Sequence, residues 1–112
     1  HDALPISTMI DATLPVASQT RVKTEKARGY LVQLCKHFAY KTDASFADNR
    51  GRIRFTAGLC ELNAEDAGAL AITVSTADPN QLSTLEDVID RHLRRFAFKE
   101  ELAIQWTRAP GA

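Results

Sequence analysis

The sequence has little of several residue types whose abundance would indicate a function. It contains two cysteines, four prolines, five glycines and one tryptophan in 112 residues. Two cysteines are too few for a disulfide scaffold, so we expect reduced thiols and a cytoplasmic location. No stretch approaches the roughly 18 consecutive apolar residues that a membrane-spanning helix needs, and the N-terminus lacks the basic start and apolar core of a signal peptide. We therefore expect no membrane as a partner.

Neither positive nor negative charge is in excess. The 14 basic and 14 acidic side chains cancel, which removes the overall attraction on which nucleic-acid-binding proteins depend. An RNA-binding sheet also needs exposed aromatics, whereas Phe55 and Trp106 align with the apolar set. We therefore expect no nucleic acid as a partner. The two signs are unevenly placed, since residues 21–54 are mainly basic and residues 61–90 mainly acidic. We expect the fold to interleave them; the alternative is a complementary surface for self-association.

Motifs with a defined chemistry are also missing. The sequence has no Gly-rich phosphate loop, no serine nucleophile elbow, no calcium loop and no Cys-x-x-Cys pair. It therefore predicts no cofactor, no metal and no catalytic residue, and it favours a non-catalytic role over an enzyme. At 112 residues the chain is long enough for one hydrophobic core but too short for a barrel or a doubly wound nucleotide-binding fold.

The pattern of the chain indicates one domain. Residues 1–18 contain two prolines and no sustained hydrophobic period, so we expect an irregular lead-in. Met9 within it is a candidate start of the native chain. Residues 19–108 form the predicted domain, and residues 109–112 form a tail.

Hydrophobic periodicity places two helices and five strands in this domain. The predicted helices cover about residues 25–40 and 78–96, and the predicted strands about residues 19–24, 52–56, 59–64, 69–76 and 102–107. Apolar residues recur at spacings of three and four in the first helix and alternate in the fourth strand. The order of elements indicates an α+β two-layer sandwich, an antiparallel sheet of about five strands with two helices on one face. The other face would stay open or meet a partner.

Single residues decide several details of these elements. Thr24 is a candidate N-cap of the first helix, and Asp78 followed by a proline is typical of the start of the second. Gly58 indicates either a tight turn or a bulge, after which Cys60 and Leu62 would point inward.

Parts of the predicted helices and strands resemble a known bacterial family. They are Tyr30-Leu31, Leu34 to Phe38, Gly51 to Phe55, Gly58, Cys60, Leu85 to Ile89, His92 to Phe98, Glu100 to Leu102 and Trp106. The family that they resemble is domain of unknown function 2218. The resemblance covers about residues 20–106 and is most specific in residues 92–101. Because this family has no established activity, the resemblance implies no particular reaction.

Relatives in this family occur alone or joined to siderophore-interacting flavoproteins. The resemblance therefore implies a link to iron or siderophore handling, with such a flavoprotein as a candidate partner. Some relatives carry the label of an aldolase acting on dihydroxyheptenedioate. That chemistry needs a barrel with a divalent metal or a Schiff-base lysine, and 112 residues are too few for a barrel, so we do not expect it.

His92 is the first candidate site residue. It falls within the apolar stripe of the second helix and should point inward. An unpaired buried polar group costs about 1–3 kcal/mol, which predicts a hydrogen bond to a backbone carbonyl, a carboxylate or the Tyr30 hydroxyl. His37 would meet His92 if the helices pack side by side. Cys35 points away from His37, so no metal site is expected. The alternative for His92 is a core histidine that only packs.

Three arginines near the end of the second helix suggest an anion site. Two of them, Arg91 and Arg94, have an aspartate four residues earlier in the sequence and are predicted to pair with it. Arg95 has no such partner. We therefore expect Arg95 to contact a carboxylate or phosphate, together with Arg54, because the guanidinium offers bidentate geometry.

These residues predict a non-catalytic accessory module that binds a small anionic ligand or a protein partner. The candidate ligand-binding residues are His37, His92, Arg95, Arg54 and Glu100. One alternative is a small enzyme that uses His92 with Glu100 or Glu101 as acid and base. Another is a structural homodimer formed through the open sheet face.

Overall fold

The computed structural model describes residues 16–108, in which there are two α-helices, six strands and a short 3-10 turn. In chain order they are β1 (Val16–Lys23), α1 (Ala27–Phe38), β2 (Asp43–Ala47), β3 (Arg50–Arg54), β4 (Gly58–Asn63), β5 (Ala69–Thr76), the 3-10 turn (Pro79–Gln81), α2 (Leu82–Phe96) and β6 (Thr107–Arg108). β1 begins inside the predicted lead-in. The rest of that lead-in, with Met9, and the predicted tail lie outside the described residues.

The six strands form one sheet in the order β2-β3-β4-β5-β1-β6, and every pair of neighbours is antiparallel. The predicted α+β architecture is confirmed, with one strand more than the predicted five. Neither of the described helices has the length and apolar character needed to cross a membrane.

The strand that the sequence does not predict is β2. Its residues, Asp-Ala-Ser-Phe-Ala, include no β-branched side chain, so its intrinsic preference for a strand is weak. β2 pairs along its whole length with β3. The turn between them consists of residues 48–49, where Asp48 has a φ of 54°, as the tight two-residue turns of hairpins require. The place of β2 in the sheet is therefore set by its hairpin partner.

The predicted last strand, residues 102–107, is mostly not a strand. β6 contains only residues 107–108, which pair with Ser18 and Gln19 of β1. Upstream of β6, the carbonyl of Leu102 accepts a hydrogen bond from the Arg94 guanidinium at 3.0 Å. This segment is thus held by a side chain of α2, although its apolar side chains still pack on the core as predicted.

Both helices lie on the same face of the sheet and share one core with it. Alternate residues of β5 are buried, and α1 and α2 each bury one stripe against them. The largest fully buried side chains are Leu31, Leu34, Ile53, Leu62, Leu70, Ile72, Ile89, Leu93, Val22, Val74, Thr76 and Cys35. Removal of this apolar surface from water is the main favourable contribution to folding.

Two glycines are required by close approaches within this core. A Cβ on Gly51 would lie 2.7 Å from the Cys35 sulfur, so α1 can approach β3 closely only because Gly51 has no side chain. Gly58 ends the β3–β4 hairpin in a tight turn, in which it exchanges backbone hydrogen bonds with Phe55 at 2.7 and 3.2 Å. The structure therefore shows the turn and not the bulge. Cys60 and Leu62 point inward, as predicted.

The two thiols are expected to be unreactive in the folded chain. Cys35 and Cys60 are free and buried, and burial raises the pKa of both. Because the thiolate is the reactive form, we expect Ellman's reagent at about pH 8 to detect neither thiol before unfolding and both after addition of guanidinium chloride. Rapid reaction of either thiol in the native protein would contradict this expectation.

Candidate functional site

The last turn of α1 meets the middle of α2 at a surface hollow that contains both candidate histidines. This histidine hollow is lined by Lys36, His37, Phe38, Tyr40, Lys41 and His92 and has a volume of about 570 Å³. The ring centroids of His37 and His92 are 4.9 Å apart, and their planes are inclined by 48°. Helix packing thus brings together the two histidines that are 55 residues apart in the sequence.

Aromatic rings hold the two imidazoles in position. Phe38 lies 4.8 Å from His92, measured between ring centroids, and makes an edge contact with Phe55 at 5.1 Å. Phe96 makes an edge contact with His37 at 5.6 Å. Such contacts favour particular ring orientations. The histidine pair is therefore supported by side chains from α1, α2 and the β3–β4 turn.

His92 is half-buried, and its hydrogen bond fixes which nitrogen faces the hollow. Its Nδ1 lies 2.7 Å from the carbonyl oxygen of Val88, and a carbonyl can only accept. A neutral His92 must therefore have its proton on Nδ1, which leaves Nε2 as the free acceptor. A backbone carbonyl is one of the three partners expected for this residue. His37, in contrast, is exposed.

The charges around the hollow favour an anion over a metal ion. Lys36 and Lys41 line it, and no carboxylate does so among the described residues. In residues 16–108 no group of three or more histidine, cysteine, aspartate or glutamate side chains is arranged to hold a metal ion. A divalent cation would therefore meet two ammonium groups with only two imidazoles as ligands, whereas an anion would meet complementary charge.

The structure separates the two arginines predicted to act together. Arg91 and Arg94 pair with the aspartates four residues earlier, at 2.8 and 2.7 Å, and Arg95 is exposed and makes no ion pair within residues 16–108. Arg54 lies on the sheet face opposite the helices, with its Nε 3.9 Å from Asp43. Arg54 is therefore not part of the histidine hollow, and Arg95 is not among the residues that line it.

Glu100, a candidate ligand-binding residue, is held by hydrogen bonds to two hydroxyls of the same chain. Its carboxylate accepts hydrogen bonds from the hydroxyls of Tyr30 and Thr24, the latter at 3.0 and 3.1 Å. Burial and the Glu100 carboxylate raise the pKa of Tyr30 to about 12. The N-cap of α1 is Lys26 and not Thr24 as predicted. The Thr24 hydroxyl instead accepts a hydrogen bond from the Lys26 N–H at 3.1 Å. No hydrogen bond joins Glu100 to His92 in the described chain, and Glu101 is exposed.

Comparison with known proteins gives the family. The chain matches, over residues 19–107, the model of a family described as an uncharacterised protein conserved in bacteria, DUF2218. The chain belongs to this family. A similar solved structure is the NMR structure of PA4090 from Pseudomonas aeruginosa, with 29% sequence identity and a TM-score of 0.67 over 85% of this chain and 96% of that chain. No curated protein matches the chain.

This DUF2218 domain has a second hollow further along the seam between its helices, which the sequence did not predict. We call it the Phe98 groove; it is lined by Lys26, Gly29, Tyr30, Gln33, Phe96, Phe98 and Lys99. Phe98 is 78% exposed. The sequence does contain one sign of this groove, the pair Phe96 and Phe98. Residues two apart on a helix cannot both face the core, so this pair indicates that one of the two rings lies outside it. Phe98 lies two residues beyond the end of α2.

On the opposite side of the DUF2218 domain, the open sheet face is polar and internally paired. Four arginines there contact carboxylates from neighbouring strands or turns: Arg21 with Asp66, Arg50 with Glu65 at 3.2 Å, Arg52 with Glu61 at 3.6 Å and Arg54 with Asp43 at 3.9 Å. The pKa of Glu65 is lowered by the guanidinium of Arg50. The basic and acidic regions of the sequence are thus interleaved by the sheet, as expected. Phe55 and Trp106 pack against the core and not on this face.

Proposed function

We propose that this DUF2218 domain is a non-catalytic binding module that takes a small organic anion in the histidine hollow. The observation that supports this proposal best is the pair of adjacent imidazoles, His37 and His92, in a hollow that two lysines and, within residues 16–108, no carboxylate line. The lysine ammonium groups and an imidazole N–H of His37 donate to carboxylate oxygens, whereas His92, whose Nδ1 is engaged by Val88, donates from Nε2 only in its protonated form. Charge-assisted hydrogen bonds of this kind are about twice as strong as neutral ones.

The ligand should be planar and partly apolar as well as anionic. The hollow is lined by the rings of Phe38 and Tyr40, and Tyr40 is 91% exposed. Aromatic rings favour stacking or edge contacts with another ring. An aromatic carboxylate therefore suits this hollow better than a bare inorganic anion, which would use the cations but not the rings.

A link to iron or siderophore handling is the narrower form of this proposal. Catechol carboxylates such as 2,3-dihydroxybenzoate are building blocks of one class of siderophore and have the planar, anionic character that the histidine hollow favours. A siderophore-interacting flavoprotein would then be the natural partner. This form of the proposal rests on the family resemblance together with the chemistry of the hollow.

A catalytic role has less support from the geometry. The Nδ1 of His92 is engaged by the Val88 carbonyl and both oxygens of Glu100 are engaged by Tyr30 and Thr24. General acid–base chemistry would need His92 and a carboxylate within hydrogen-bond reach of one substrate. The same hydrogen bonds instead hold the two side chains in separate parts of the helix layer.

A structural homodimer through the open sheet face also has less support. Four arginines of that face are already paired within the chain. Covering the face with a second copy would remove these ion pairs from water without giving them new partners, which costs free energy. Sedimentation analysis of the protein over a range of concentrations tests this alternative.

The proposal predicts which ligands and which variants matter. In NMR titrations of the 15N-labelled protein, benzoate and 2,3-dihydroxybenzoate should shift the resonances of His37 and His92, and inorganic phosphate should bind more weakly. Replacing the exposed His37 by alanine should weaken carboxylate binding about tenfold with little change in melting temperature. The matched control is Lys23→Ala, which removes a cation on the open sheet face and should leave the affinity unchanged.

Three results would count against the proposal. Binding would be non-specific if Lys23→Ala lost as much affinity as His37→Ala. The hollow would not be a ligand site if none of the three anions shifted either histidine. His92 would be only a core residue if His92→Gln lowered the melting temperature while carboxylate binding was kept. Equal affinity for benzoate and 2,3-dihydroxybenzoate would remove the siderophore link but leave a site for aromatic carboxylates.

A further inference from the structure

We infer that the Phe98 groove is a docking site for an acidic, partly apolar segment of a protein partner. The groove is separate from the histidine hollow in its lining residues, so the inference goes beyond the proposed ligand site and does not depend on it. Three features of the groove support it: a fixed turn that presents Phe98, a helical glycine with no close neighbour within residues 16–108, and two lysines that make no ion pair within the same residues.

The turn that presents Phe98 is held at both ends. Ala97 is buried, and its carbonyl accepts a hydrogen bond from the Glu100 N–H at 3.0 Å. The Glu100 side chain is in turn held by the hydroxyls of Tyr30 and Thr24. Between these fixed ends, Phe98 is held out with most of its surface in water. An apolar ring displayed by a fixed turn is a typical anchor of a protein interface.

Gly29 lies at the edge of this groove in the first turn of α1, where it is the third residue of the helix. Glycine is the least favourable helix residue after proline, so a glycine at a helical position is informative when a larger side chain would also fit. Gly51 is required by its contact with Cys35, but a Cβ on Gly29 would meet nothing within 4 Å. Packing within residues 16–108 therefore does not require a glycine there. A partner backbone or side chain that lies close against α1 would require it.

The charge of the groove defines the partner. Lys26 and Lys99 line it, and among residues 16–108 neither makes an ion pair and no carboxylate lines the groove. The Lys99 ammonium lies 5.8 Å from the centroid of the Phe98 ring, so cation and ring are presented together. A segment that carries carboxylates beside an apolar side chain would match the two lysines and the exposed ring of Phe98.

A second copy of this chain fits the groove less well than an acidic partner. Seven carboxylates of the described residues are already in ion pairs: Asp43, Glu61, Glu65, Asp66, Glu86, Asp87 and Asp90. Glu100 is held by two hydroxyls. Of the twelve carboxylates in residues 16–108, four thus remain to face Lys26 and Lys99 across a symmetric interface: Glu25, Asp48, Asp78 and Glu101.

The test uses the whole chain and a blocked hexapeptide of sequence Glu-Asp-Phe-Leu-Asp-Glu. Titration of the 15N-labelled protein should shift the amide resonances of Gly29, Phe98 and Lys99. Gly29→Ala should raise the melting temperature and yet weaken peptide binding about tenfold, a combination that loss of structure cannot produce. Lys99→Glu should weaken binding to a similar extent, and its matched control is Lys23→Glu on the open sheet face, which should bind like the parent.

The other outcomes decide against the inference. Equal binding of the peptide by Gly29→Ala and the parent would overturn it, as would equal loss in the two charge-reversal variants or no shift of the groove resonances. If the protein dimerises and Phe98→Ala abolishes the dimer, the occupant is a second copy. If benzoate shifts these amides as strongly as the peptide does, the groove is a small-molecule site. Because His37→Ala should not change peptide binding, failure here is distinguishable from failure of the proposed ligand site.

Discussion

Replacing Gly58 by alanine is expected to destabilise the fold by about 3 kcal/mol. The added Cβ would lie 2.1 Å from the backbone carbonyl oxygen of Ser75 and 2.9 Å from the Thr76 Cγ2 atom. Ser75 belongs to β5, which is paired on both sides within the sheet. Its backbone cannot move away without breaking hydrogen bonds to a neighbouring strand, so the clash cannot be relieved by a change of rotamer.

Urea unfolding of Gly58→Ala, followed by circular dichroism, measures this effect. The matched control is Gly29→Ala in the first turn of α1, where the new methyl group meets nothing within 4 Å among residues 16–108 and helix propensity predicts a gain of less than about 1 kcal/mol. The two glycine replacements should therefore have opposite signs. A Gly58→Ala variant as stable as the parent would show that the β3–β4 turn can take a side chain and that the described approach of Ser75 is wrong.

The phenol of Tyr30 should titrate about two pH units above that of an ordinary tyrosine, which is near 10. Burial is the largest cause, and the hydrogen bond and charge of Glu100 add to it, so that the pKa of Tyr30 is raised to about 12. Ultraviolet titration of tyrosinate in a Tyr40→Phe variant isolates Tyr30, because the chain has only two tyrosines. Tyrosinate formation near pH 10 in the folded variant would contradict the buried contact with Glu100.

The raised pKa of the buried Tyr30 also predicts how the free energy of unfolding depends on pH. The unfolded chain loses the Tyr30 proton near pH 10, whereas the folded chain keeps it up to about 12. The contribution of Tyr30 is therefore complete below about pH 10 and is lost as the pH rises towards 12. A Tyr30→Phe variant should lack this part of the alkaline decline. In Glu100→Gln the pKa should fall only part of the way back, because burial remains.

Local patterns in the sequence were sufficient for most of the fold. The alternation in β5 and the stripes of the two helices record which side of each element is buried, because helices and strands have fixed periods. The same logic correctly placed Cys60 inward and paired Arg91 and Arg94 with aspartates four residues earlier. Periodicity did not predict β2, because its place depends on its hairpin partner β3. It also did not predict the conformation of residues 102–107, which the Arg94 side chain helps to hold.

The candidate site was less predictable because it depends on contacts between distant segments. That His37 and His92 would meet followed from placing both helices on one sheet face, which is a global property. That Tyr30 would bond Glu100, 70 residues later, could not follow from any periodicity. Arg54 and Arg95 do not lie together for a related reason: the alternation of β3 places Arg54 on one face of the sheet, and the helices, which carry Arg95, pack on the opposite face.

The pairing of β6 with β1 has a consequence for how such a domain can be combined with others. Ser18 lies opposite Arg108, so the incoming and outgoing connections of the described fold run side by side at one border of the sheet. A unit whose two connections are neighbours can be inserted into a loop of a larger polypeptide, or appended to either terminus of it, without being pulled apart.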